Sequence, residues 1–127
     1  PPTSPLRSQI DVENCLNSLN EETDCVVGIT ESKTNPWFNM VRRDSLGYLQ
    51  TICAGDYPVT RRQDAPKTFD ITTVVYAAKT EFILSRGGIF DGRVKGVEIP
   101  RSRAIDIDTI DDFKYAEFCL MTGVESK

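Results

Sequence analysis

The 127-residue sequence contains no histidine. This absence excludes nucleophilic catalysis that depends on an imidazole base, and it excludes zinc sites with histidine ligands. Any chemistry in this chain must therefore use carboxylates, amines, guanidinium groups, hydroxyls or a hard metal ion.

Long apolar runs and excess positive charge are also absent from the sequence. No segment approaches 18 consecutive apolar residues, so no transmembrane helix is predicted. The net charge of −4 argues against nonspecific binding to nucleic acid. With 39% apolar and 27% charged residues, the composition is typical of one globular domain. We expect a folded domain that binds neither nucleic acid nor a membrane.

The four cysteines are widely spaced and form no Cys-x-x-Cys pair. Two disulfides would fit an even count, but the wide spacing and the ordinary apolar content favour free, mostly buried thiols. Free thiols are typical of a reducing compartment, so we expect a cytoplasmic protein. The residues concerned are Cys15, Cys25, Cys53 and Cys119.

Hydrophobic periodicity predicts a mixed α/β fold. Apolar residues at helical spacing indicate helices, and short apolar or β-branched runs indicate strands. One face of the first predicted helix carries Val12, Cys15, Leu16 and Leu19, and the last has Phe113, Ala116, Glu117 and Leu120 at helical spacing. A turn signal at 44–47 between the extended segments 37–43 and 48–53 predicts a β-hairpin. This order favours a three-layer α/β sheet with an inserted hairpin. The predicted helices are 8–20, 80–86 and 109–122, and the predicted strands are 24–30, 69–78, 94–99 and the short extended segment 104–107.

Four aspartates crowd the segment before the last predicted helix. Asp108 or Thr109 can cap the last helix, so capping can account for Asp108, and the positive first turn of a helix suits Asp111 and Asp112. Asp106 lacks such an explanation. Residues two apart in an extended segment share a face, so Asp106 and Asp108 form a candidate carboxylate pair for magnesium, which prefers one or two carboxylates with waters and substrate phosphates. Capping and metal binding both remain open from the spacing alone.

Two arginine-containing segments could bind an anionic substrate. They are Arg61-Arg62-Gln63 and Arg101-Ser102-Arg103, the second of which directly precedes the acidic pair. A guanidinium group binds a carboxylate or a phosphate through two parallel hydrogen bonds. Solvated surface charge is the alternative interpretation for any one of these arginines.

Three motifs occur in a characteristic order along the chain. Pro2–Arg7 reads PTSPLR, Arg62–Pro66 fits RQ-x-x-P, and Ile105–Asp112 fits IDIDT-x-x-D. Together they resemble the acylneuraminate cytidylyltransferases, also called CMP-sialic acid or CMP-nonulosonate synthetases. The resemblance covers nearly the whole chain and corresponds to roughly the second half of such an enzyme.

The resemblance implies a Rossmann-like nucleotide-diphospho-sugar transferase sheet, present in part. It implies transfer of CMP from CTP to a nonulosonic (sialic-type) acid with release of pyrophosphate. Asp106 and Asp108 match the carboxylates that meet Mg²⁺ in this family. The Gly/Ser/Lys loop that cradles the CTP phosphates in the family has no match in residues 1–127, so we expect the isolated chain to be inactive.

The resemblance also implies where the sugar acid binds. Arg62 and Gln63 match the substrate-binding loop, and Tyr76 matches a tyrosine of the sugar pocket, although core packing is an equal alternative for this ring. Thr72 stands where many members carry an amide side chain, which suggests a variant nonulosonic acid. Residues 37–57 resemble the hairpin extension through which such enzymes form homodimers.

Two other functions fit the same motifs. One is a noncatalytic module of the same origin that dimerises or binds a sugar acid. The other is an enzyme similar to 3-deoxy-manno-octulosonate cytidylyltransferase, which the motifs fit less well. An unrelated structural α/β domain, with the aspartates as a solvated helix cap, is a third possibility.

Overall fold

The computed structural model describes residues 1–53, 59–85 and 87–123. These residues form a mixed α/β structure, as predicted, and the chain divides into two compact units: Pro1–Thr30 with Ile71–Lys127, and Glu31–Asp70. The three-layer layout stays a prediction. The helices are α1 (Gln9–Ser18), α2 (Thr80–Ser85) and α3 (Ile110–Thr122), and the strands are β1 (Cys25–Glu31), β2 (Val41–Arg43), β3 (Leu49–Thr51), β4 (Phe69–Ala78) and β5 (Val94–Glu98).

A three-stranded sheet has the strand order β4-β1-β5. β1 and β5 are parallel, with Cys25 opposite Val94 and Ile29 opposite Glu98. β4 runs in the opposite direction, since its last residue is followed by Lys79, whose N–H donates to the Asp24 carbonyl just before β1. The predicted strands 24–30, 69–78 and 94–99 are therefore confirmed to within one residue at each end.

The core packs α1 against the sheet. Buried aliphatic side chains from β1 and β4 meet Cys15 of α1, as β-branched residues on a pleated surface favour. Leu16 was predicted on the same buried face but is 55% exposed. Asp11 is buried although it is charged, because it forms an ion pair with Arg103. The core cluster consists of Cys15, Val26, Val74, Val75, Ala77 and Ile99.

All four cysteines are free, as predicted, and three of them are buried. No helix in the three described ranges is long and apolar enough to cross a membrane.

The second unit contains the predicted hairpin. β2 and β3 pair antiparallel, with Val41 opposite Thr51. The Asp44 carboxylate accepts hydrogen bonds from the N–H groups of Leu46 and Tyr48, and Gly47 has a positive φ of 93°, which favours glycine. The strands are shorter than the predicted 37–43 and 48–53. Residues 54–57 of the predicted extension lie outside the described residues.

The segment before α3 differs from the prediction. Residues 104–107 were expected to be extended at a strand end, but no strand is formed there. The segment instead donates two backbone hydrogen bonds, from Ala104 N–H to the Arg101 carbonyl at 3.2 Å and from Ile107 N–H to the Thr3 carbonyl at 2.9 Å. Strand alternation therefore cannot be used to orient Asp106 and Asp108. Along α3, Ala116 is buried as the spacing predicted, whereas Phe113 and Leu120 are exposed.

Candidate functional site

An acidic loop, residues 104–109, follows β5 and leads into α3. β5 is joined to β1 up to Ile99, whose N–H donates to the Ile29 carbonyl at 2.7 Å. The chain then turns, with Arg103 N–H donating to the Pro100 carbonyl, and enters the loop. The acidic loop therefore lies beyond the carboxyl end of β5, the edge at which open α/β sheets bind ligands.

A buried ion pair anchors the start of the acidic loop. Arg103 donates from Nε to Asp11 Oδ2 at 3.0 Å and from Nη2 to Asp11 Oδ1 at 2.8 Å. The Asp11 side chain is 2% exposed, and it also accepts the Ser8 N–H at the start of α1. Burial alone would raise the pKa of Asp11, but the hydrogen bonds from Arg103 and Ser8 lower it below the usual value. Arg103 was predicted as a candidate anion-binding residue, but this pairing gives it a structural role.

The first turn of α3 accounts for two of the four aspartates, Asp111 and Asp112. Thr109 caps α3, and its N–H and hydroxyl both donate to Asp112 Oδ2, at 2.8 and 2.6 Å. The Thr109 side-chain bond, then its backbone bond, lowers the pKa of Asp112. Asp111 is exposed and lies 3.4 Å from Lys114 Nζ. The first-turn prediction is thus confirmed for Asp111 and Asp112, whereas the N-cap is Thr109 and not Asp108, so Asp106 and Asp108 remain as candidates.

Asp106 has an unsatisfied carboxylate oxygen. Within the described residues, its Oδ1 atom is buried and has no hydrogen-bond partner. A buried acceptor without a partner is costly, and a buried anionic one more so, so such an atom requires an explanation such as a bound ion or water. Asp108 is exposed, and its N–H lies 3.3 Å from Asp112 Oδ2.

The acidic loop suits a magnesium ion whose remaining ligands come from water and substrate. No cluster of three or more carboxylate or thiol side chains that could hold a metal occurs in residues 1–53, 59–85 and 87–123. A closed protein cage is therefore not formed there. The unpartnered Asp106 oxygen, with exposed Asp108 two residues away, fits the one or two carboxylates that magnesium takes from a protein at phosphate sites.

Thr72 and Tyr76 lie on β4 in the same unit. Thr72 is buried, and its hydroxyl donates to the Gly28 carbonyl of β1 at 3.0 Å. Tyr76 is 45% exposed, so its ring is not enclosed in the core. The exposure leaves Tyr76 available to a ligand, whereas the hydroxyl of Thr72 is already bonded to a backbone carbonyl of the sheet.

Arg62 and Gln63 lie in the second unit, beside a cavity of about 380 Å³. They occupy a short 3₁₀ turn, Arg62–Asp64, and Arg62 Nη2 donates to the Ser32 carbonyl at 3.2 Å. The cavity is therefore bordered by a guanidinium group that the fold holds in place, together with the amide of Gln63 and the exposed amine of Lys67. This arrangement suits an anionic ligand with hydroxyl or amide groups.

Asn35 is a residue of this cavity that the sequence interpretation missed. Its side chain is buried, with Nδ2 donating to the Pro66 carbonyl at 2.7 Å and Oδ1 accepting the Trp37 N–H at 2.9 Å. Asn35 thus joins the start of the second unit to the turn that carries Arg62. The Asn35-Pro36 dipeptide was its local signal, since Asn-Pro favours a turn, but the contact with Pro66 has no local signal.

Replacement of Asn35 by alanine is expected to destabilise the protein by about 1–3 kcal/mol, because two backbone groups lose a buried partner. Chemical denaturation would measure the loss. Asn39→Ala is a less suitable comparison because Asn39 contacts the Asn35 backbone, so the exposed Asn17→Ala serves as the control. Equal stability of both variants would contradict the role assigned to Asn35.

A larger cavity, of about 570 Å³, lies at the amino ends of β1 and β5. Its wall includes Asp24 and Arg93, which precede β1 and β5 and form an ion pair at 2.9 Å. None of the residues predicted to bind substrate or metal lines this cavity. Size alone therefore does not select the functional site.

Comparison with known proteins gives two informative similarities. The chain is 29% identical to post-translational flagellin modification protein B of Campylobacter coli over 120 residues, which is 93% of this chain and 49% of the relative. It is also 29% identical to CMP-N,N'-diacetyllegionaminic acid synthase of Campylobacter jejuni over 89 residues, which is 70% of this chain and 37% of the relative. No protein-family model matches the chain.

These similarities are consistent with a protein similar to the CMP-nonulosonate synthetases. The resemblance inferred from PTSPLR, RQ-x-x-P and IDIDT-x-x-D is thereby confirmed. The chain spans about half the length, or less, of the curated relatives that it matches. Two of these three motifs, Pro2–Arg7 and Ile105–Asp112, meet in this structure through the hydrogen bond between Ile107 and Thr3.

Proposed function

We propose that this chain is the carboxyl-terminal part of a cytidylyltransferase that transfers CMP from CTP to a nonulosonic acid and releases pyrophosphate. The observation that carries the proposal is the buried, unpartnered Oδ1 of Asp106 on a loop anchored beyond the carboxyl end of β5. The relation to a CMP-N,N'-diacetyllegionaminic acid synthase supplies the reaction class.

The residues of the acidic loop would hold the metal–nucleotide complex. Asp106 and Asp108 would contribute carboxylate oxygens, and the Arg103–Asp11 ion pair would fix the loop that carries them. Bound magnesium would supply positive charge that stabilises charge developing on the phosphates. Positioning of the sugar hydroxyl against the α-phosphorus would supply much of the remaining rate enhancement.

The sugar acid would bind through the residues that the family resemblance assigns to the sugar pocket. Arg62 would bind the carboxylate in a bidentate manner, and Gln63 and Tyr76 would contact polar groups of the sugar. Thr72 would stabilise the pairing of β4 with β1 and would not contact the sugar, because its hydroxyl already donates to the Gly28 carbonyl. The proposal includes the Rossmann-like nucleotidyltransferase layout, a homodimer through residues 37–57 and a cytoplasmic location.

Helix α3 supports a place in a larger protein. Large apolar side chains on several sides of α3 are exposed, which is typical of a helix that other elements cover. The half-length match to the relatives agrees with this interpretation. The exposed side chains of α3 include Ile110, Phe113, Phe118, Leu120 and Met121.

Sequencing the coding DNA upstream of Pro1 determines which protein should be assayed. If that DNA encodes a Gly/Ser/Lys phosphate loop in frame, the longer protein is incubated with CTP, Mg²⁺ and a panel of nonulosonic acids. We expect equimolar pyrophosphate and a CMP-sugar identified by mass spectrometry, and no turnover by residues 1–127 alone. Absence of product with every acid, from a folded longer protein, would favour the noncatalytic module.

A further inference from the structure

Two buried side-chain atoms without a hydrogen-bond partner occur in the described part of the chain, and they are complementary. One is the acceptor Asp106 Oδ1, and the other is the donor Arg7 Nε. Both atoms are removed from water, and neither bonds to the other. Buried polar atoms in native proteins are nearly always hydrogen-bonded. An unpaired donor and an unpaired acceptor therefore suggest a bound ligand that pairs with both.

The two residues belong to segments that contact each other. Arg7 ends the amino-terminal turn, residues 1–7, and Ile107 N–H donates to Thr3 of that turn at 2.9 Å. The same turn is fixed to β4 through the hydroxyls of Ser4 and Thr73, 2.7 Å apart. The acidic loop and the amino-terminal turn are therefore held together as one structure.

The Arg7 side chain is held in place for binding. Its Nη2 donates to the Pro1 carbonyl at 2.6 Å, which fixes the guanidinium plane while Nε keeps an unused N–H. A fixed guanidinium loses little further conformational entropy when it binds an anion. A purely structural arginine would be expected to have its buried Nε–H satisfied by the protein.

We propose that Arg7 is an anion-binding residue that donates from Nε to an anionic oxygen of the substrate whose metal ion meets Asp106. This inference rests on the proposed function, and it adds Arg7 to the site. The shared chemistry is a phosphate or carboxylate oxygen, since either accepts a charge-assisted hydrogen bond. One ligand, an anion with its divalent cation, then pairs with both atoms: the anion with Arg7 Nε and the cation with Asp106 Oδ1.

The test measures binding to the 127-residue chain by isothermal titration calorimetry in Mg²⁺. One arm uses inorganic pyrophosphate as a phosphate probe, and the other uses N-acetylneuraminic acid as a carboxylate probe. Arg7→Lys keeps the charge but lacks the Nε–H, and Arg7→Met lacks both. We expect at least a tenfold weaker binding of one probe in both variants, as loss of a charge-assisted hydrogen bond implies. The arm that weakens identifies the source of the oxygen.

Arg42→Met is the matched control, because Arg42 is exposed on the hairpin, where its Nη2 donates to Gln50 Oε1 at 3.2 Å. Thermal unfolding of every variant checks that the fold survives. Unchanged binding by folded Arg7 variants, or no binding of either probe by the wild-type chain, would overturn the inference. If Asp106→Asn loses Mg²⁺-dependent binding while the Arg7 variants do not, only this inference fails. If Arg7-dependent binding occurs but the longer protein makes no CMP-sugar, only the proposed function fails.

Discussion

Asp106→Asn is expected to lower nucleotidyl transfer by at least about 10²–10³-fold, the range seen when one preorganised electrostatic group is removed from an active site. The change keeps the size of the side chain but removes the negative charge that would bind the metal ion. The measurement is the rate of CMP-sugar formation by the longer protein at saturating CTP and Mg²⁺. Addition of more Mg²⁺ should restore little of the rate.

The same substitution is expected to leave stability unchanged or to raise it by up to about 1 kcal/mol. The unbound protein keeps an unpartnered carboxylate oxygen of Asp106 buried, and a neutral amide is less costly to bury than an anion. Loss of activity without loss of stability is typical of a residue retained for function. Urea denaturation without metal, analysed as a two-state transition, would measure this difference.

Asp111→Asn is the control for Asp106→Asn, because it is the same chemical change five residues away on an exposed side chain. Asp111 makes a surface contact with Lys114 at 3.4 Å, and such a pair is worth little. Its removal should change neither activity nor stability by a measurable amount. Full activity of folded Asp106→Asn, or equal losses in both variants, would contradict the metal assignment.

Some contacts near the site follow local rules, because they join neighbours in sequence. Thr109 and Asp112 satisfy each other across three residues, and Ser8 and Asp11 do so at the start of α1. These contacts follow from the unsatisfied N–H groups of a helix terminus, which any helix must satisfy. The bounds of β4 were predicted for a similar reason, since its β-branched run favours a pleated, half-buried strand.

Contacts between distant segments could not be predicted in this way. Arg103 is similar to Arg101 in sequence context, and only the fold brings it to Asp11, 92 residues away. Asp11 could be read as a helix cap, but its burial depends on that partner. The error for Leu16 has the same origin, because helical spacing gives a face but does not say which flank the sheet covers.

The motif resemblance suggested a function where physical patterns alone left alternatives open. Spacing could not choose between a capping role and a metal-binding role for the aspartates. The structure removes Asp112 from that choice by giving it a capping role and leaves the Asp106 oxygen without a partner. The family resemblance and the unpartnered oxygen therefore both make Asp106 the first residue to test.

Asp11→Asn is expected to destabilise the protein by about 3–5 kcal/mol, because it leaves the Arg103 guanidinium without its buried carboxylate partner. This is a large part of the 5–15 kcal/mol that is typical of a folded domain. Urea denaturation at pH 7 would measure the loss. Glu13→Gln, an exposed change on the same helix, should cost less than about 0.5 kcal/mol. Similar stability of the two variants would show that the ion pair does not anchor the acidic loop.

The pH dependence of stability gives a second test of the Asp11–Arg103 pair. The pKa of Asp11 in the folded protein is lowered from its usual 3.8. A lowered pKa means that the unfolded chain binds the proton more tightly, so the stabilising contribution is complete above pH 3.8 and is lost as the pH falls through the folded-state pKa below that value. Asp11→Asn should therefore unfold with a shallower dependence on pH below about 4.

A double-mutant cycle tests whether Asp11 and Arg103 act as a pair. The double variant, Asp11→Asn with Arg103→Met, should lose less stability than the sum of the two single losses, because each single change removes the partner of the other side chain. Additive losses would indicate that the two side chains act separately, and the acidic loop would then need another anchor to hold Asp106 beyond the carboxyl end of β5.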